Sequence, residues 1–164
     1  MAIIFKKITE EEFNKSALPI LFNEATSRRF GEIVNGSNGF RFSWQSDLIE
    51  PVITEINKNI YSIGIDQNFA IVNLDENNVL LRLRLTYNFL TTKLYKGSIF
   101  VCTELEILRL EHGGNYQVLS SYPLPDFFED IIFEDDIIKV KCVENDLIER
   151  IITVRLNLME KARM

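Results

Sequence analysis

Asn57-Lys58-Asn59-Ile60-Tyr61-Ser62-Ile63 occurs three times in this chain, in altered form. Ile99-Phe100-Val101-Cys102 stands 39 residues further on, behind Lys96-Gly97-Ser98. Ile137-Ile138-Lys139-Val140 follows after another 38, behind Glu134-Asp135-Asp136. Each copy is a polar turn leading into a short apolar run. Spacing this regular marks repeated supersecondary units, each too small to bury its apolar surface alone.

Working outward, the residues after each copy also read as strands. Ala70-Ile71-Val72-Asn73-Leu74 is closed by the turn Asp75-Glu76-Asn77-Asn78, and Val79 to Leu85 follows with Arg82 and Arg84 on one polar face. The second copy keeps this order: Leu105 to Leu110, the turn Glu111-His112-Gly113-Gly114-Asn115, then Val118 to Tyr122. Gly113 and Gly114 supply positive φ for that turn at little steric cost. Leu85 and Leu124, and Phe89 and Phe128, are each 39 apart. The third copy degenerates after Cys142. Its last strand is expected at Ile152 to Leu158, and the polar tail from Met159 to Met164 is expected to fray.

The first 38 residues differ. Thr9-Glu10-Glu11-Glu12 has the spacing of a capping box, in which a hydroxyl and a carboxylate satisfy each other's free backbone donors. It predicts a short helix from about residue 10 to 17, limited by Pro19. Asn23 to Phe30 reads equally as a second helix or an irregular segment. Asn35-Gly36 and Asn38-Gly39 are turn dipeptides, and Phe40 to Trp44 alternates with period two as a strand does.

Each unit thus offers about four short strands in under 40 residues. That size resembles a β-propeller blade, which runs to about 40–45 residues. The resemblance covers residues 40–158. It implies one mainly β domain over 1–164: a helical or irregular segment at 1–38, then three blade-like antiparallel β-meander repeats at 40–158. Propellers typically need about four or more blades. Three units therefore imply an open arrangement covered by the N-terminal segment, with completion by a second chain or a continuous sheet as alternatives.

The chain has 164 residues, of which 46% are hydrophobic and 26% charged, with a net charge of −6. These values suit a single soluble domain with a sizeable core. The acid excess argues against phosphate, and so nucleic acid, as the main partner. No apolar run reaches the roughly 20 residues of a membrane helix, and Met1 to Lys7 lacks the order of charges of a signal peptide. A cytoplasmic protein is expected. Cys102 and Cys142 cannot by themselves form a disulfide framework or a zinc site, and are read as buried and reduced.

Chemistry-bearing residues are few. His112, the single histidine, lies near Glu104 and Glu106, and these form the only nucleus for a base or a metal. A metal site needs three or four ligands in defined geometry, so the bland reading is a turn histidine beside solvated carboxylates. Arg82 and Arg84 read either as an anion contact or as a solvated strand face. No phosphate-binding glycine motif or nucleophile elbow is present. No catalytic residue, metal or cofactor is expected. The distinctive stretch is Pro125 to Asp136, where six acids interleave with apolar residues. Its acidic tip replaces the lysine-bearing turns of the earlier copies. Such a tip steers and anchors a cationic surface.

A small, acidic, Asn- and Ile-rich chain without a catalytic constellation resembles, in general character, the bacterial immunity proteins that neutralise toxin nucleases. The resemblance implies a non-catalytic inhibitor that binds a basic toxin domain and blocks its active site. Glu129, Asp130, Glu134, Asp135 and Asp136 are the candidate contacts, with Phe127 as an apolar anchor. A monomer is expected. The alternative is a repeat-built recognition module, lectin-like and homo-oligomeric.

Overall fold

The computed structural model describes residues 2–144 and 149–155. The protein is mainly β, with one short helix and four sheets of largely antiparallel strands. The second sheet is a meander of β5 (Val52–Asn57), β6 (Ile60–Ile65), β7 (Asn68–Asn73) and β8 (Asn78–Arg84). The third repeats it with β9 (Phe89–Tyr95), β10 (Ser98–Thr103), β11 (Glu106–Glu111) and β12 (Val118–Pro123). The fourth is β13 (Phe127–Glu134), β14 (Ile137–Val143) and β15 (Glu149–Arg155). β15 covers most of the strand expected at Ile152 to Leu158. Leu156 to Leu158 and the tail lie outside the described residues.

The N-terminal segment departs from expectation. Besides the helix α1 (Glu10–Lys15), it contains β1 (Ile4–Ile8), β2 (Ile20–Phe22) and β3 (Arg29–Asn35). With β4 (Asn38–Trp44) these build a first sheet in the order β1-β3-β4-β2, in which β2 runs parallel to β4. There are four sheets where the repeat predicts three units. The strand signals here are weak for physical reasons. β2 is only three residues long, and β3 carries Gly31, which strand propensity disfavours. Gly31 is needed because a Cβ there would lie 2.8 Å from the Phe5 ring and 3.2 Å from Trp44.

The sheets stack face to face through three apolar layers. Phe40, Phe42 and Trp44 of the first sheet meet Ile63, Ile65, Ala70 and Val72 of the second. Phe69 and Ile71 of the second meet Phe89, Ile99 and Val101 of the third. Phe100, Cys102 and Ile107 of the third meet Ile131, Ile138, Val140 and Cys142 of the fourth. The second and third sheets are therefore buried on both faces. This explains why β7 and β10 read as continuous apolar runs rather than alternating ones. Both thiols are buried and free, and burial pushes Cys102 up to about 12.

Hairpin register changes how the repeated segments correspond. Asn57 pairs with Ile60, Tyr95 with Ser98, and Glu134 with Ile137 across equivalent turns. Ile60 thus corresponds to Ser98, not Ile99, and then to Ile137. Residue identity alone places the middle copy one position out, and a one-residue slip in a strand exchanges its two faces. In the correct register, Tyr61, Ile99 and Ile138 all face the preceding sheet. Ser62, Phe100 and Lys139 face the other way, as do Gly64, Cys102 and Lys141.

Among the described residues the outer faces of the first and fourth sheets differ. At the first sheet, α1 lies against the outer face. The Phe13 and Phe30 rings are 5.2 Å apart, and the Arg41 guanidinium sits 5.0 Å from the Phe13 ring. Arg41 Nε donates to the Leu18 carbonyl at 2.7 Å, and Nη1 donates to that of Phe13. The predicted capping box is present: Glu12 N donates to Thr9 Oγ1 at 3.1 Å and Thr9 N to Glu12 Oε2 at 2.7 Å. Thr9→Ala is expected to destabilise the protein by about 1 kcal/mol, measured by urea unfolding. At the fourth sheet no helix covers the outer face among the described residues.

Candidate functional sites

The acidic stretch lies on β13 and its turn to β14. A bulge between Phe128 and Asp130 sets Glu129 apart from the regular ladder. The outer face then presents Phe127, Asp130, Ile132 and Glu134 along β13, beside Lys139 and Lys141 on β14 and Ile151 on β15. Phe127 is 46% exposed, Ile132 54% and Ile151 70%, which is unusual for large apolar side chains gathered on one face.

The charges are partly neutralised within the chain. Lys139 Nζ lies 2.9 Å from Glu134, and Lys141 Nζ 3.3 Å from Glu129. Lys96 Nζ is 3.8 Å from Asp135, whose side chain is fully exposed. Asp130 Oδ1 accepts the N–H of Ile131 at 2.8 Å. Asp130 and Asp136 have no ion pair among the described residues. The tip is held against the third sheet: Tyr95 Oη donates to the Asp135 carbonyl at 2.8 Å, and its ring stacks on Phe133 at 4.5 Å. Phe127 and Glu134 sit at opposite ends of β13, roughly 20 Å apart at strand rise. Phe127 and the tip would therefore contact different parts of any partner.

His112, Glu104 and Glu106 do not converge. Glu104 and Glu106 stand at one end of β11 and His112 beyond the other, roughly 20 Å away. Asn88 Nδ2 donates to Glu104 at 3.3 Å, and Ser121 Oγ donates to Glu106. His112 Nε2 is 3.3 Å from the Ile56 carbonyl. A carbonyl only accepts, so Nε2 carries the proton and ties the third sheet to the second. No group of three metal-binding side chains occurs among the described residues.

A second site is assembled from residues scattered along the sequence. Where the first and second sheets meet, a pocket of about 280 Å³ is lined by Glu24, Gln45, Ser46, Asp66, Arg84 and Asn88, among others. Glu24 follows β2, Gln45 and Ser46 follow β4, and Asp66 lies in the β6–β7 turn. Arg84 ends β8 and Asn88 precedes β9. Arg84 Nη1 donates to Glu24 Oε1 and, at 3.2 Å, to Asn68 Oδ1. The anion that Arg84 contacts is thus the protein's own. Asn68 Nδ2 donates to Glu24 Oε1 at 2.9 Å. Burial raises the Glu24 pKa, but the hydrogen bonds from Asn68 and Arg84 and the Arg84 charge outweigh it, and the net shift is downward. Asp66 adopts φ +51°. Its Oδ2 accepts Gln45 N at 2.8 Å and Ser46 N at 3.4 Å. These residues are far apart in sequence and look like ordinary turn residues. Of its residues the sequence singles out only Arg84, as an anion contact or a solvated strand face.

No protein-family model and no curated protein sequence matches the chain. Among solved structures it is similar to Hsv2 of Kluyveromyces lactis at 15% identity, covering 85% of this chain and 46% of that one, with a TM-score of 0.49. Hsv2 of Kluyveromyces marxianus gives 12% identity, 77% and 42% coverage, and a TM-score of 0.48. The chain spans about half the length of the solved structures it matches.

Proposed function

We propose that this chain is a non-catalytic, cytoplasmic protein-binding inhibitor of the immunity type, which engages a basic toxin domain through the outer face of the fourth sheet. The observation that carries the reading is the asymmetry of the stack. Among the described residues the outer face of the first sheet is packed by α1, while that of the fourth presents Phe127, Ile132 and Ile151 on the sheet whose far turn is the acidic tip, with Asp135 fully exposed. Exposed apolar anchors on a face that also carries unpaired or loosely paired carboxylates suit a cationic protein surface. Glu129 and Glu134 are committed to Lys141 and Lys139; Asp130 and Asp136 have no ion pair among the described residues, and Asp135, fully exposed, is held only loosely by Lys96 at 3.8 Å, so these three are the acids offered to a partner. In this proposal the sheets act as blade-like meanders in an open, β-propeller-like stack.

A monomer accords with the lysines. Lys139 and Lys141 lie on the central strand of the exposed face, so two-fold stacking of identical faces centred on that strand would oppose lysine to lysine. No helix among the described residues is long and apolar enough to cross a membrane.

The test is titration of the chain into a cationic nuclease-toxin domain encoded beside its gene, with nuclease activity as the readout. Stoichiometric inhibition is expected, and replacing Asp130, Asp135 and Asp136 together by lysine should weaken it roughly 100-fold. Undiminished inhibition by the triple variant would show that these carboxylates are not the contact.

A further inference from the structure

Two Asn-Gly pairs, Asn35-Gly36 and Asn38-Gly39, flank the β3–β4 turn, and the fold treats them differently. In such a pair the glycine nitrogen can attack the asparagine side-chain carbonyl carbon, because no Cβ on the attacking residue crowds the approach. The reaction needs an attacking N–H free of other bonds and a side chain able to turn toward it. Asn35 pairs with Asn38, so Gly36 and Ser37 form a two-residue loop. Gly36 takes φ +64° at the first loop position, where a type II′ hairpin places glycine. It is exposed, and no hydrogen bond among the described residues engages its N–H.

Asn38-Gly39 is locked instead. Gly39 is buried against β3, where a Cβ would lie 2.2 Å from the Ile33 carbonyl oxygen. Its N–H donates to Asn77 Oδ1 at 3.0 Å, and Asn38 Nδ2 donates to the Asp75 carbonyl at 2.7 Å. Nucleophile and side chain are both held, so reaction there requires both bonds to open. Asn35 Nδ2 has only the Asp75 carboxylate, at a longer 3.3 Å. The other oxygen of Asp75 accepts from Asn59 Nδ2. Asp75 therefore ties the β3–β4 and β5–β6 turns to its own β7–β8 turn, and it has no ion pair among the described residues. A carboxylate at position 35 would lose the donor to Asp75 and face it with like charge.

We propose that Asn35-Gly36 is a site of spontaneous deamidation, and that the carboxylate it forms loosens the contact between the first and second sheets at Asp75. The Gly36 nitrogen gives up its proton and bonds to Asn35 Cγ, closing a cyclic succinimide. The Cγ–Nδ2 bond breaks, and Nδ2 leaves as ammonia with that proton. Water then opens the ring at either carbonyl, giving aspartate or isoaspartate, and the second carries the main chain through the side-chain carbon. Water is the one co-reactant. The proposal does not rest on the fourth-sheet reading, since the two sites share no residue.

The test is incubation of the folded full chain in heavy-oxygen water, followed by peptide mapping with mass spectrometry. The heavy oxygen marks each ring that water opens during the incubation. Asn35 is expected to convert at least about tenfold faster than Asn38, as follows when two hydrogen bonds must open first. In urea sufficient to unfold the chain both pairs are released, and they should convert at comparable rates. For the consequence, Asn35→Asp should melt about 2–4 °C lower than the parent chain, and adding Asp75→Asn should recover most of that loss. An intact Asn35 in the folded chain, an Asn38 that converts as fast there, or a gap that persists in urea would overturn the modification site. An unchanged melting temperature in Asn35→Asp, or no recovery in the double variant, would overturn the loosening.

Discussion

Phe100→Ala is expected to destabilise the protein by about 3–5 kcal/mol, whereas Lys139→Ala should cost about 0.5 kcal/mol or less. The two residues occupy the same position of their hairpins once Ser98 is matched to Ile137. Phe100 is fully buried between the third and fourth sheets and lies 5.1 Å from the Phe133 ring. Lys139 occupies that position on the outer face of the fourth sheet, on which no further sheet packs among the described residues, and its partner is Glu134 on the solvent side. For a domain of this size the Phe100 variant should melt about 10 °C lower. Paired urea and thermal melts measure both values. Equal costs would mean that the outer face of the fourth sheet is covered as fully as the core.

Gly64→Val is the second substitution with a large expected effect, about 3 kcal/mol of destabilisation from overpacking. A Cβ at Gly64 would meet three Phe89 ring carbons at 2.4, 2.5 and 2.6 Å. Phe89 cannot easily retreat. Its N–H is bonded to the Asp66 carbonyl at 2.6 Å, and its ring packs 5.8 Å from that of Phe69. Gly64 is therefore where β6 admits the third sheet. Phe89→Ala opens the space that valine needs, so the double variant should lose less than the sum of the single ones. Strict additivity in a double-mutant cycle would contradict the contact.

Part of this was legible in the residues. Turn chemistry marked the hairpins, because a tight turn needs positive φ and few residues tolerate it. Asn59, Lys96 and Asp135 all adopt it at the three recurring turns. The capping box marked the helix for a similarly local reason. Of the first sheet only β4 was legible, because β2 is too short for periodicity and Gly31 answers to a packing demand from Phe5 and Trp44 that lies outside its own segment. The acidic tip was legible as a charge pattern. Its partial neutralisation by Lys139, Lys141 and Lys96 was not, since cross-strand partners depend on register.

The sequence by itself determined a mainly β chain built from short hairpins, the single capped helix, and the acidic turn at Glu134-Asp135-Asp136. These depend on neighbours within a few residues, where backbone geometry and turn sterics act. Tertiary structure alone decided that there are four sheets, that Ile60 corresponds to Ser98, and that Glu24, Asp66 and Arg84 share a pocket. Period-two strands look alike when slid by one residue, and the face a side chain takes is set only by the sheet packed against it. That is why an apparent match of isoleucines misplaced the middle copy. It is also why the lysines of β14 make sense only on a sheet face that no other sheet covers among the described residues.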